Sequence, residues 1–319
     1  MSEFIIDVKN LDKQYMKQKA VSDATFQIKE GMITGLIGPN GAGKTTIMKM
    51  LGGLVLPTKG SIKIYGANDE NGLAHARSRM SFMIETPYAK EKLTARENLE
   101  KQRLQKGIPD KKRIDEVLEM VGLSDTGKKS VKNFSLGMRQ RLGIANALMT
   151  KPEIMVLDEP VNGLDPEGIV EIRELLLKLN REEHITILIS SHILSELSLL
   201  CTDYLFINHG KILQAISAEE LKKQCHEYYH INTDNNSLAT AILQEKLGVT
   251  EIEVERDGSI RLYEQLDNIY KVSKTLFENG VVPLKLNMNE ANLEQYYINM
   301  VGEENGKHNK GDELSDKKR

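Results

Sequence analysis

Cysteine is scarce in this sequence: two in 319 residues, Cys201 and Cys225. They form neither a metal-type spacing nor a disulfide framework, which fits a reducing compartment and two ordinary thiols. Long hydrophobic runs are missing as well. No stretch approaches the ~18 consecutive apolar residues that span a bilayer. The opening MSEFIIDVKNLDKQY lacks the basic flank and apolar run of a signal peptide. If the protein works at a membrane, another chain is expected to cross it. An excess of one charge is also absent. The formal net charge of −3 provides no global basic field to recruit nucleic acid or anionic lipid, and no nucleic-acid partner is expected. No internal repeat is found.

What is present is enough for a sizeable core, with 40% hydrophobic residues. At roughly 100–200 residues per domain, the length suggests two domains, or one large domain with an appendage. FIIDV (4–8) and TFQI (25–28) read as short strands, and MITGLIG (32–38) as a strand buried on both faces. KTTIMKMLGGL has helical spacing, and SIKIYG (61–66) is another strand. From about 86 to 150 helical stretches dominate and strand runs are absent, which predicts a helical insertion. Sheet signals return at 153–160, 185–192 and 203–210, with a helix at 167–180. Alternating strands and helices predict an α/β fold with a mostly parallel sheet. The expected organisation is a large α/β domain over 1–218, a small accessory α+β domain over 219–301 without a chemical motif, and a polar, disordered tail over 302–319.

GPNGAGKT (38–45) fits G-x-x-x-x-G-K-[ST] and lies between a buried strand and a helix, the context this motif requires. Gly38, Gly41 and Gly43 let backbone N–H groups turn toward phosphates, with Pro39, Asn40 and Ala42 completing the loop. Lys44 would reach the β- and γ-phosphates of ATP, and the Thr45 hydroxyl would ligate Mg²⁺. Thr46, the next helical residue, closes the binding segment. EIMVLDEP (153–160) supplies a second half: Asp158 emerges at the end of a buried strand as a Mg²⁺ ligand, direct or through water. Glu159 follows at once as the candidate base that polarises the attacking water.

NFSLGMRQRLGIANAL (133–148) closely resembles the LSGGQxQR signature of ABC ATPases. Phe134 stands for the family's leucine, Leu136 for a glycine and Met138 for a glutamine, while Ser135 and Gly137 are kept. Ser135 is a good N-cap for the following helix, and Gly137 permits close backbone approach. The order of segments resembles that family from residue 1 to about 215. The resemblance implies that Tyr15 stacks on adenine, that NGLD (162–165) is the D-loop, and that His192 is the switch histidine at the γ-phosphate. Ser135, Gly137 and Met138 would meet the nucleotide held by a second subunit. The other histidines have no such context. The family's mechanism implies two nucleotide-binding domains head to tail with ATP between them. One chain holds one set of motifs, so a second copy is expected.

In MSFMIETPYA (80–89), Glu85 stands where most ABC ATPases have glutamine. Glutamate keeps the length and an acceptor oxygen, and a carboxylate is a hard ligand that suits Mg²⁺. An uncompensated charge there would be costly, so pairing or metal binding is expected. MIETP together with SLGMRQR resembles the ATPases of bacterial antimicrobial-peptide exporters, the bacitracin-resistance and lantibiotic-immunity group, as does NLEQYYINMVG (292–302). The resemblance implies an ATP-hydrolysing export subunit docked on separate membrane permease subunits from the cytoplasmic side; the expectation for Glu85 is that it keeps ATP chemistry and tunes how hydrolysis couples to the permease. Multidrug or polysaccharide export, or a soluble ABC ATPase outside transport, are the alternatives.

Overall fold

The computed structural model describes residues 4–85, 89–224, 228–265, 268–289 and, near the chain end, 293–294, 296–298 and 300–302. The tail expected to be disordered lies, from 303 on, outside the described residues. The chain divides into two compact units, one formed by residues 1–218 with the chain end from 300, the other by residues 219–299.

In chain order the first unit contains β1 (Phe4–Tyr15), β2 (Gln18–Lys29), β3 (Ile33–Ile37), α1 (Lys44–Leu51), β4 (Lys59–Ile64), α2 (Glu70–Ser78) and β5 (Met80–Met83). Three helices follow, α3 (Ala95–Gln105), α4 (Lys112–Met120) and α5 (Leu136–Leu148). Then come β6 (Ile154–Asp158), α6 (Pro166–Glu183), β7 (Thr186–Ser191), α7 (Leu194–Ser198), β8 (Asp203–Asn208) and β9 (Lys211–Ser217). Among the described residues, six strands form the main sheet in the order β5-β6-β7-β3-β8-β9. It is parallel except for β9. Strands β3, β6 and β7 are buried at every position, as expected for a sheet covered on both faces.

A smaller antiparallel sheet, β2-β1-β4, packs its Ile6, Val8, Leu11, Phe26 and Ile64 into the same core as Leu36, Ile47 and Val156. Its strands are longer than FIIDV and TFQI suggest. Register shifts along β1 carry pairing past the polar Lys9–Asn10 step, where a uniform alternation would have ended. The helical insertion has local causes: Thr94 and Glu97 form a reciprocal capping box at the start of α3.

After α8 (Ala218–Gln224), the second unit runs β10 (Tyr228–Thr233), α9 (Asn236–Leu247), β11 (Ile252–Val254), β12 (Ile260–Leu262), α10 (Ile269–Glu278) and β13 (Pro283–Asn289). The strands pair antiparallel in the order β11-β12-β10-β13. This β-α-β-β-α-β path is the ferredoxin-like split motif. It has its own core, in which Ile231, Ile260 and Leu262 of the sheet meet Leu243, Val272 and Leu276 of the helices.

Candidate functional site

Register in the parallel sheet assembles the site. Ile37 of β3 lies beside Ser191 of β7, and Asp158 of β6 beside Ser190. The loops that leave these strands therefore emerge at one carboxyl edge, where ligands of open α/β sheets bind. Loop 38–43 turns there into α1. A Cβ on Gly38 would fall 2.2 Å from the Ile207 carbonyl oxygen, and Gly43 has φ 109°, so both positions require glycine.

Lys44 is almost fully buried, and its ammonium curls back to donate to the carbonyls of Gly38 (2.7 Å) and Pro39 (3.3 Å). Its counter-ion is Glu159, with Oε1 at 3.3 Å. The other carboxylate oxygen, Oε2, is 2.6 Å from His192 Nδ1. Glu159 has a left-handed backbone (φ 52°), and its N–H is held by the Ser190 hydroxyl at 3.0 Å. Thr45 Oγ1 donates to Asp158 Oδ2 at 2.7 Å, and Ser190 Oγ to Asp158 Oδ1 at 2.5 Å. A hydroxyl and a carboxylate in contact form a hard oxygen donor set that fits Mg²⁺, which takes one or two carboxylates and completes its shell with water and phosphate oxygens.

A cavity of about 500 Å³ runs along the loop, lined by Tyr15, Pro39 through Thr46, and Glu159. Tyr15 is 42% exposed at the tip of the β1–β2 hairpin, with the Lys13 ammonium 4.9 Å from the centre of its ring. Gln18, Lys19, Ala20, Asn162, His209 and Gly210 line it too. Asn162 is the first residue of the NGLD segment, His209 had no motif-based role, and Ser190 was missed altogether. No local signal marks it: its place is set by strand register, directly opposite Asp158.

Ser135, Gly137 and Met138 are elsewhere. Ser135 caps α5 by accepting from the Met138 N–H at 3.2 Å. Ser135, Leu136 and Gly137 line a separate cavity of about 430 Å³ with Gly163, Leu164 and Asp165. A Cβ on Gly137 would meet its nearest neighbour, Leu164, at 3.9 Å, so nothing inside this chain demands glycine there. Thus one chain does not bring its signature segment to its own phosphate loop. Glu85 does not line the nucleotide cavity either. Its Oε1 lies 2.5 Å from Lys49 Nζ, and this bond is the main reason the Lys49 ammonium is held above its ordinary pKa.

The parallel sheet, the glycine-bound loop with its lysine after β3, and the Asp-Glu pair at the end of β6, two strands away in the sheet, define a P-loop ATPase. Residues 21–162 match the ABC transporter family model. The bacitracin transport ATP-binding protein BcrA of Bacillus licheniformis is 44% identical over 298 residues, 93% of this chain and 97% of that protein. The lantibiotic transport ATP-binding protein SrtF of Streptococcus pyogenes is 42% identical over 209 residues, 66% of this chain and 89% of its own. Among solved structures, the ATP-binding subunit of an ABC transporter superposes with TM-score 0.60 at 30% identity, covering 69% of this chain and 92% of its own. A dimeric post-hydrolysis ATP-binding cassette bound to ADP and Pi gives TM-score 0.60 at 27% identity, covering 67% and 98%. The chain belongs to the ABC transporter ATP-binding family, binds ATP and is an ATP-hydrolysing transport ATPase. Among its described residues no helix is long and apolar enough to cross a membrane.

Proposed function

We propose that this chain is the motor of an exporter for a peptide antibiotic or bacteriocin, working as two identical copies on separate membrane subunits at the cytoplasmic face. The observation that carries the cargo class is the match, along 93% of the chain, to a bacitracin transport protein. The pairing of copies is supported by the separation of the two cavities within one chain.

The site residues then divide the work. Tyr15 offers its ring to adenine, and the N–H groups of 38–46 with Lys44 cradle the phosphates. Lys44 exchanges the Gly38 carbonyl and Glu159 for phosphate oxygens, which frees the Glu159 carboxylate. Glu159 orients water on the γ-phosphorus and takes its proton as the new P–O bond forms and the bond to ADP breaks. His192 holds Glu159 in place and reaches the γ-phosphate. Thr45 and Asp158 are the residues that would hold Mg²⁺, which when bound neutralises charge on the phosphate oxygens. Ser135, Gly137 and Met138 present the start of α5 to the nucleotide on the other copy. A groove of about 730 Å³ between β5, α3 and α5 reaches Met83 and Ile84, next to Glu85, and offers the permease a place to dock.

The test is expression with the cognate membrane subunits in a susceptible bacterium, challenged with bacitracin, lantibiotics and unrelated drugs. Resistance confined to peptides and lost in Glu159→Gln is the expected result. Resistance to non-peptide drugs alone would overturn the cargo assignment.

A further inference from the structure

Glu85 is a loop carboxylate, two-thirds exposed, with a left-handed backbone (φ 65°) and Lys49 at 2.5 Å. Lys49 follows Thr45 by four residues on α1, so the two side chains leave one face of the helix about 6 Å apart along its axis. Thr45 in turn touches Asp158. Lys49 feels the field of Asp158 as well as that of Glu85, and both stabilise its charged form. One cation thus pairs with the loop carboxylate and lies within the field of the carboxylate that would hold metal. We propose that Lys49 is a positioning residue for Glu85: it keeps the carboxylate in an ion pair one helical turn from the metal position, and Mg²⁺ recruits Glu85 only by competing it away from Lys49. This rests on Thr45 and Asp158 as the Mg²⁺-holding pair.

The physical argument is exchange. A carboxylate engaged by an ammonium in a short, charge-assisted hydrogen bond must give up that bond to turn toward a divalent ion. Glu85 is two-thirds exposed and Lys49 about one-third, so solvent screens the pair and the competition is modest, a matter of a few-fold in Mg²⁺ requirement. A pair of this strength is easily reversed, as a contact that opens and closes in each ATP cycle must be.

The test is equilibrium binding of a fluorescent ATP analogue to the full chain during Mg²⁺ titration. It compares wild type, Lys49→Met, Glu85→Gln and the double variant. Lys49→Met is expected to lower the Mg²⁺ concentration for half-maximal binding by about three- to fivefold when Glu85 is present, and hardly at all on top of Glu85→Gln. The same factor in both backgrounds overturns the proposal, because Lys49 would then act on Asp158 or the nucleotide directly. Lys49→Gln carries the same expectation if Lys49→Met does not fold, and Lys49→Arg, which keeps the pair, should retain the wild-type Mg²⁺ dependence. Absence of nucleotide binding in the wild type at every Mg²⁺ concentration would instead overturn the site reading, and this proposal with it.

Discussion

His192 Nδ1 stands 2.6 Å from Glu159 Oε2, while Lys44 faces the other oxygen of the same carboxylate at 3.3 Å. Glu159 is therefore pinned between an imidazole and a buried ammonium, with its backbone in a left-handed conformation that the Ser190 hydroxyl secures. When Lys44 turns to phosphate, His192 still holds the carboxylate, which then needs little reorganisation to orient a water. Glu159→Gln keeps shape and length but cannot accept a proton. Hydrolysis is expected to fall by about 10²- to 10⁴-fold with ATP affinity retained. Size-exclusion chromatography in ATP should show a lasting dimer. Wild-type turnover would remove Glu159 from the role of base.

Lys44→Ala acts on the other side of this arrangement. It removes the cation that the cradle directs at phosphate and leaves Glu159 facing a buried site without its partner. Nucleotide affinity is expected to fall by at least about tenfold, from the loss of a charge-assisted contact. Isothermal titration with ATP checks this, and unchanged affinity would refute the cradle assignment.

Much of the site was legible because its motifs are local. Residues 38–45 form a contiguous turn whose glycines the backbone requires, and Asp158-Glu159 ends a run too apolar to be anything but a buried strand. Ser190 was not legible. Its importance comes from standing opposite Asp158 across two strands, and register between strands about 30 residues apart leaves no local trace in sequence. The Lys49–Glu85 pair escaped for the same reason, joining a helix to a loop 36 residues further on. In the second unit, strands of three residues at Ile252–Val254 and Ile260–Leu262 are too short to show a period, so its ferredoxin-like path emerges only from the pairing.

Gly38→Ala tests how tightly the loop is built. The added methyl carbon would sit 2.2 Å from a backbone oxygen of β8, which cannot swing away as a side chain could. A loss of more than about 2 kcal/mol of stability is expected, with the loop displaced and ATP binding weakened. Gly137→Ala offers the contrast, since its Cβ would have 3.9 Å of clearance. Its melting temperature should stay within about 2 °C of wild type, while dimerisation in ATP weakens if that surface meets a second copy.

Ser190→Ala removes one hydroxyl that donates to Asp158 at 2.5 Å and accepts from the Glu159 N–H at 3.0 Å. The Glu159 N–H keeps the Ser190 backbone carbonyl at 3.2 Å, but Asp158 Oδ1 belongs to a buried carboxylate and its lost donor is not replaced by bulk water. The expected cost is about 1–3 kcal/mol in denaturant unfolding, with a higher Mg²⁺ requirement for ATP binding as Asp158 loses its orientation. An unchanged unfolding midpoint and Mg²⁺ dependence would show that Asp158 is held by Thr45 alone.

Away from the nucleotide, Glu153 at the foot of β6 accepts from Arg79 Nε at 2.7 Å and from the Tyr65 hydroxyl at 3.1 Å, while the Arg79 guanidinium lies 3.6 Å from the centre of the Tyr65 ring. This cluster ties the end of β4 to the entrance of β5 and β6. The Arg79 hydrogen bond holds the Glu153 carboxyl below its ordinary value of 4.5. A carboxyl with a depressed folded-state pKa binds protons more readily in the unfolded chain. Its contribution is therefore complete above about pH 4.5 and disappears as pH falls through the lower folded value. Glu153→Gln should be less stable than wild type at pH 7, and the gap should narrow below pH 4.5. About half of the Glu153 side chain is exposed, so the effect is small and is best read as a difference in melting temperature across a pH series. A gap that stays constant from pH 7 down to pH 3 would mean that the cluster works through packing of Arg79 on Tyr65 and not through the charge of Glu153.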